Sequence, residues 1–306
     1  MKKFVYPIIL LTFLIYILLY PGQSVNAAAL GLELWYENML PTLLPFAILS
    51  YVLIHSGILD SITKHLHHVI KHLFPVSSAG LYPLLGGLLF GFPMGSKITA
   101  ELVETGGISK EEGRRLYCIC NNISPMFVSS FLLEQCLHRY DLKGITLLIL
   151  YAPPIILYMI INCHRHFSAP MEKNKKKPTP MNFQLIDAGI MNGFETLAKL
   201  GGYLMIFAIL AQMTTLIPIQ APKLKCFLIG FTEITNGIAY TSHTITNFKA
   251  AYPMMMAYTA FGGLSGLAQT ASMIKNTGFS LIPYIFTKLA GTCISFGLAT
   301  LLVAVL

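Results

Sequence analysis

Two apolar runs that break before they can cross a bilayer constrain this chain more than any other feature. Residues 86–127 read GGLLFGFPMGSKITAELVETGGISKEEGRRLYCICNNISPMF. The apolar limb from Leu81 to Phe90 covers only about 15 Å as a helix, roughly half a hydrocarbon core. Gly91-Phe92-Pro93-Met94-Gly95-Ser96-Lys97 then interrupts it, and the chain returns through a semi-polar stretch to Arg114 and Arg115. This pattern predicts a re-entrant hairpin over 79–105 with its tip near mid-membrane. A second run starts at Leu116 and is interrupted at Asn121-Asn122-Ile123-Ser124-Pro125. Pro125 removes a backbone donor while the Asn and Ser side chains supply substitute partners, which predicts a broken helix over 116–136. Freed backbone at membrane depth is tolerated only where it lines a cavity or is buried in protein. Both interruptions therefore mark a candidate binding site.

Composition fixes the class. Of 306 residues, 55% are hydrophobic and only 11% charged, against about 25% charged in soluble domains. The expected fold is an all-α polytopic membrane protein in a lipid bilayer. The net charge of +8 sits mostly in loops and shows no basic–aromatic groove, so no nucleic-acid partner is expected. Cys118, Cys120, Cys136, Cys163, Cys226 and Cys293 form no C-x-x-C pair and read as small packing residues. Residues 58–75 are rich in histidine, and His68 and His72 share a metal-capable i,i+4 spacing. No carboxylate or cysteine completes a site there, so the stretch reads as a basic amphipathic helix on the membrane surface. No metal and no cofactor is expected.

Lys2-Lys3, the apolar run Phe4 to Tyr20 and the small residues after Ser24 fit both a cleavable signal peptide and a retained first helix. The retained reading gives an N-terminal transmembrane helix over 1–30. Glu33, Trp35, Tyr36 and Glu37 then read as an interfacial stretch. A first repeat follows over 31–163, a basic cytoplasmic linker over 164–182 and a second repeat over 183–306. Gly91-Phe92-Pro93 corresponds to Gly230-Phe231-Thr232, and Asn121-Asn122-Ile123-Ser124 to Gly262-Gly263-Leu264-Ser265. Spans at 39–57 and 144–163 correspond to spans at 198–218 and 281–304. The second repeat thus carries a hairpin at about 224–247 and a broken helix at 253–275. With the N-terminus inside, most loop Lys and Arg are cytoplasmic; Lys223, Lys225 and Lys249 are the few exceptions. Each half then crosses three times, which turns the second copy upside down. An inverted repeat of span, re-entrant hairpin, broken helix and span is a transporter architecture.

Two tips and two breaks converge near the midplane in this arrangement. Gly95, Ser96 and Lys97 come from the first tip, and Asn121, Asn122 and Ser124 from the first break. Glu233, Thr235 and Asn236 come from the second tip, with Ser265 and Gln269 beyond. Half-helix N-termini favour anionic groups, so a small anionic substrate is expected. Lys97 is the first choice for contacting its carboxylate, because an ionisable group at that depth is costly unless paired or functional. Glu233 suits a coupling proton or a cation. The plainer alternatives are that Lys97 pairs with Glu233 or snorkels to the cytoplasmic face, and that the Asn and Ser residues cap broken helices. Glu101 and Glu104 read as interfacial, and Met254, Met255 and Met256 as packing. No G-x-S-x-G, Walker or H-E-x-x-H motif is present, so no enzyme is expected.

The motifs GFPMGSK, CNNISPMF, GFTEITNGI and AFGGLSGLAQ, in that order, resemble those of the YlbJ/SpoVV-type sporulation integral membrane proteins. Those belong to the nucleoside-recognition (Gate) superfamily, which is similar in architecture to concentrative nucleoside transporters. The resemblance covers about residues 30–305, although this chain looks short for the family. It implies a role in endospore formation, in the mother-cell-derived membrane around the forespore, moving dipicolinic acid from mother cell toward forespore. The residues alone indicate a small anion; dipicolinate comes from the resemblance. Two other readings stand beside it, a nucleoside-type transporter and a non-transporting scaffold or receptor of a sporulation complex. A homo-oligomer or other sporulation membrane proteins are the partners it leaves open.

Overall fold

The computed structural model describes residues 2–70, 76–162 and 177–306. Most of the linker at 164–182, together with Cys163 and His72, lies outside the described residues. Among the described residues every regular element is helical. Helices Pro21–Ser56, Tyr140–Ile161, Phe183–Thr215 and Leu281–Val305 are each long and apolar enough to cross a membrane. The chain is an all-α, multi-pass membrane protein, and side chains such as Leu148, Ile160, Phe286 and Leu301 point outward from the last of the first-half spans and the last helix.

The N-terminal part differs from the expectation of one span over 1–30. Helix α1 (Lys2–Leu19) stops before Pro21, and its apolar part, Pro7–Leu19, is short. Helix α2 (Pro21–Leu34) starts on Pro21, whose missing N–H costs nothing at a first helical turn. It runs through a π-helical turn at Trp35–Met39 into α3 (Leu40–Ser56). The stretch read as interfacial is therefore part of one 36-residue helix. Trp35 fixes it sideways by donating from Nε1 to the Leu197 carbonyl at 2.7 Å. Helix α4 (Ile58–Ile70) follows the left-handed turn at Gly57.

The first interrupted stretch forms two short antiparallel helices, α5 (Leu81–Phe90) and α6 (Met94–Thr105). Gly91, at φ 78°, ends α5, a conformation that only glycine adopts freely. Gly106, at φ 74°, ends α6, and Gly107 N–H returns to the Leu102 carbonyl at 2.7 Å, a common way to satisfy a helix C-terminus. Helix α7 (Lys110–Leu116) is capped by Ser109, with Glu111 and Glu112 in its first turn and Arg114 and Arg115 in its last, complementing its dipole. The chain then leaves helical geometry until Pro125, where a helix resumes that is π-helical over Phe127–Cys136. Helix α8 (Lys143–Asn162) completes the half.

The second half repeats this order. Helix α9 (Phe183–Thr215), capped by Asn182, is followed by the short pair α10 (Pro222–Thr232) and α11 (Ile234–Thr244). Helices α12 (Phe248–Phe261) and α13 (Gly263–Met273) are separated only by Gly262, and α14 (Leu281–Val305) closes the fold. Corresponding elements pack on one another, α3 on α9 and α8 on α14, while α14 also covers α12. Met254, Met255 and Met256 are buried in the resulting core.

At the foot of the first hairpin, Glu112 is fully buried and its Oε1 accepts the Ser77 N–H at 2.7 Å. Its Oε2 has no partner. Burial pushes this carboxyl above its ordinary value, opposed by the Ser77 hydrogen bonds and by the charge of His67. A carboxyl with a raised folded-state pKa binds its proton more tightly in the folded than in the unfolded chain. Its contribution to stability is therefore undiminished below the unfolded carboxylate pKa and is lost as pH rises through the folded value. Glu112→Gln should flatten the fall of Tm over that interval, measured by thermal unfolding of detergent-solubilised protein at a series of pH values. An unchanged slope would show that Glu112 does not titrate as described.

Candidate functional site

The two short-helix pairs and the two breaks meet around a cavity of about 510 Å³. Phe90 and Phe92 reach it from the first hairpin, and Ile123 and Ser124 from the first break. Glu233, Thr235 and Asn236 line it from the second hairpin, and Gly262, Ser265, Gly266 and Gln269 from the second break. Phe127 and Phe131 add an aromatic wall, and the exposed Glu33 and Glu37 lie on the α2–α3 side. Among the described residues that line it, three are carboxylates and none is Lys, Arg or His.

The tips and breaks meet because small residues let backbones touch. A Cβ on Gly95 would lie 2.1 Å from the Cys120 carbonyl oxygen, and one on Gly262 would lie 2.4 Å from the Phe92 ring. Gly95 is thus a packing position of the first tip rather than a lining one. Gly262 sits at φ 89°, and Phe92 from the opposite half fills the space where its side chain would be.

Of the candidate residues, Ser124, Glu233, Thr235, Asn236, Ser265 and Gln269 line the cavity. Glu233 is buried between α10 and α11 and caps α11 with its own carboxylate. Oε1 accepts the Thr235 N–H at 3.1 Å, and Oε2 accepts the Asn236 N–H and the Asn236 side-chain amide, each at 2.8 Å. Ser124 accepts from the Phe127 N–H at 3.2 Å at the start of the π-helix. Gln269 donates to the Ser265 hydroxyl at 3.0 Å, one turn back on α13. Helix α13 has no side-chain cap, so its first amides are the uncapped helix N-terminus on this cavity.

Lys97, Ser96, Gly95, Asn121 and Asn122 do not line it. Lys97 is buried on α6 and its ammonium donates to Glu101 one turn on and to Asn192 of α9. It pairs with neither Glu233 nor solvent, and Glu101 is a half-buried partner rather than an interfacial one. The desolvation cost of an ammonium explains this: the nearest acid one helical turn away meets it. Asn121 is fully buried and ties four elements together. Its Oδ1 caps α6 by accepting the Ser96 N–H at 2.9 Å, and its Nδ2 donates to the Ser96 hydroxyl and to Thr270 Oγ1, the latter at 2.8 Å. Thr270 in turn donates to the Tyr284 hydroxyl at 3.3 Å. Asn122 only closes its own turn, donating to the Ile119 carbonyl at 2.8 Å.

No family model matches the chain, and no solved structure matches it. The chain is similar to the sporulation integral membrane protein YlbJ of Bacillus subtilis (strain 168). The two are 24% identical over 88% of this chain and 75% of the relative. An integral membrane relative agrees with the four spanning helices.

One residue at this junction escaped the sequence reading. Lys288, in the middle of α14, is buried 5% exposed among the two breaks. Its signal was present: it is the single charged residue in the apolar run 281–305, and ionisable side chains inside spans are rare without a role.

Proposed function

We propose that this protein is a membrane transporter of a small organic solute and that it serves sporulation, as its relative's name states for that protein. The observation that carries the reading is the cavity of about 510 Å³ that the tips and breaks of both halves line together. Its volume falls within the range of about 300–1,000 Å³ of small-molecule sites. Irregular backbone facing such a space is the arrangement expected of a carrier built from two inverted repeats. In this reading the two hairpins enter from opposite faces, and alternating access exposes the cavity to each side in turn.

The cargo we propose is dipicolinate. Its flat ring suits the walls formed by Phe90, Phe92, Phe127 and Phe131, and one of its carboxylates suits the uncapped amides of α13 beside Ser265. The carboxylates of Glu33, Glu37 and Glu233 line the same cavity and oppose an anion. The same acidic lining favours a second reading, a neutral nucleoside-like solute held by Glu233, Asn236 and Gln269.

Proteoliposome uptake of labelled dipicolinate and labelled uridine separates these. Ser265→Asp places a carboxylate in the first turn of α13, where it stabilises the helix but repels an anion. Dipicolinate flux should fall at least about 10-fold, the effect of roughly 1.4 kcal/mol of lost binding, while Tm is retained. Uridine flux with little dipicolinate flux favours the second reading. Wild-type protein that moves neither compound overturns transport in favour of a scaffold.

A further inference from the structure

Lys288 lies where a bound cation would be expected in a carrier of this construction. Its ammonium donates to the main-chain carbonyl of Asn121, in the first break, and lies 3.5 Å from that of Ala260, near the C-terminal end of α12. It also sits 4.7 Å above the centre of the Phe92 ring, from the first tip, where the ring face attracts a cation. Among the described residues no carboxylate pairs with it, whereas Lys97 pairs with Glu101, Arg139 with Asp141 and Lys199 with Glu195. The charge is met by main-chain oxygens and by the ring faces of Phe92 and Tyr284. The space beside it is about 10 Å³, room for about one water and too small for a solute. Thr259, whose buried hydroxyl has no partner, lines the same space. Carbonyls of unwound helices and helix C-termini are the groups that hold coupling cations in inverted-repeat carriers.

We propose that Lys288 is a tethered substitute for such a cation: its ammonium supplies the positive charge on which the carbonyl ends of both breaks close, so the protein needs no bound Na⁺ or K⁺. The consequence for coupling rests on the transport reading above, whereas the charge role does not.

The test uses full-length protein in detergent without cargo, with Tm read at equal ionic strength in NaCl, KCl, ethylammonium chloride and choline chloride. Wild-type Tm should not depend on the cation. Lys288→Met, which keeps the length and loses the charge, should melt about 5–10 °C lower in every salt. Lys288→Ala opens the space, and a small cation should restore part of its lost Tm where choline does not. A wild-type Tm raised by Na⁺ or K⁺ over choline overturns the proposal, as does a Lys288→Met protein as stable as wild type. An alanine variant that no cation stabilises also overturns it. If that variant is not recovered, the wild-type series and the methionine variant decide between them. In proteoliposomes, wild-type uptake should be equal in Na⁺ and choline. Absence of any uptake would count against transport, while the Tm series would still decide the role of Lys288.

Discussion

Gly87→Ala should leave almost no folded protein in the membrane. A Cβ at Gly87 would lie 1.5 Å from the Cys120 carbonyl oxygen and 2.6 Å from its carbon, both backbone atoms. A flexible side chain could rotate away from such a contact; a peptide group held by its own chain on both sides has no such freedom. Cys120 is itself pinned, since Gly95 on the other limb of the hairpin approaches the same carbonyl and the next residue, Asn121, is bound to Ser96 and Thr270. Relief therefore means prising the hairpin off the first break. Ordinary overpacking costs about 1–3 kcal/mol, and a clash with fixed backbone exceeds that. Yield and elution profile by size-exclusion chromatography are the measurements. Gly202→Ala is the control: nothing lies within 4 Å of its Cβ position, and replacing glycine inside a helix should raise stability by up to about 1 kcal/mol. A Gly87→Ala protein with wild-type yield and Tm would refute the close packing of hairpin on break.

The parts of this architecture that a reader of the sequence can see are those fixed by local chemistry. The hairpin expected over 79–105 encloses α5 and α6 because Gly91 and Gly106 end helices whatever surrounds them. The second break is far narrower than the broken helix expected at 253–275. Gly262 and Gly263 absorb the whole interruption at positive φ, and α13 resumes at once. Partners set by tertiary packing were harder to see. Nothing in the spacing links Lys97 to Asn192, 95 residues away, although its i,i+4 relation to Glu101 was visible. The first choice for anion contact thus fell on a lysine that the fold turns away from the cavity. The lysine that sits among both breaks, Lys288, lies far along the chain in an otherwise ordinary span.

Asn121 and Asn122 are adjacent and identical, yet their replacement by alanine should differ sharply. Asn121→Ala removes three buried hydrogen bonds, leaving the Ser96 N–H without its acceptor and depriving the Ser96 and Thr270 hydroxyls of a donor. A buried polar group left unsatisfied costs about 1–3 kcal/mol, so the variant should lose on the order of 3 kcal/mol and about 5–10 °C in Tm. The damage also reaches beyond stability. Asn121 is where α6 of the first hairpin, the first break and α13 of the second half are held in one network, which Thr270 extends to Tyr284 of α14. Removing it takes away one of the ties between the two halves, and on the transport reading proposed above uptake should fall even at temperatures where the variant remains folded. Asn122→Ala removes one bond to the Ile119 carbonyl at a half-buried turn, worth about 1 kcal/mol or less. Thermal unfolding of both variants, read beside proteoliposome uptake, makes the comparison. Equal losses from the two substitutions would mean that the Asn121 side chain is not a tie between the halves, which would then rest on contacts such as Trp35 to Leu197 and Phe92 against Gly262.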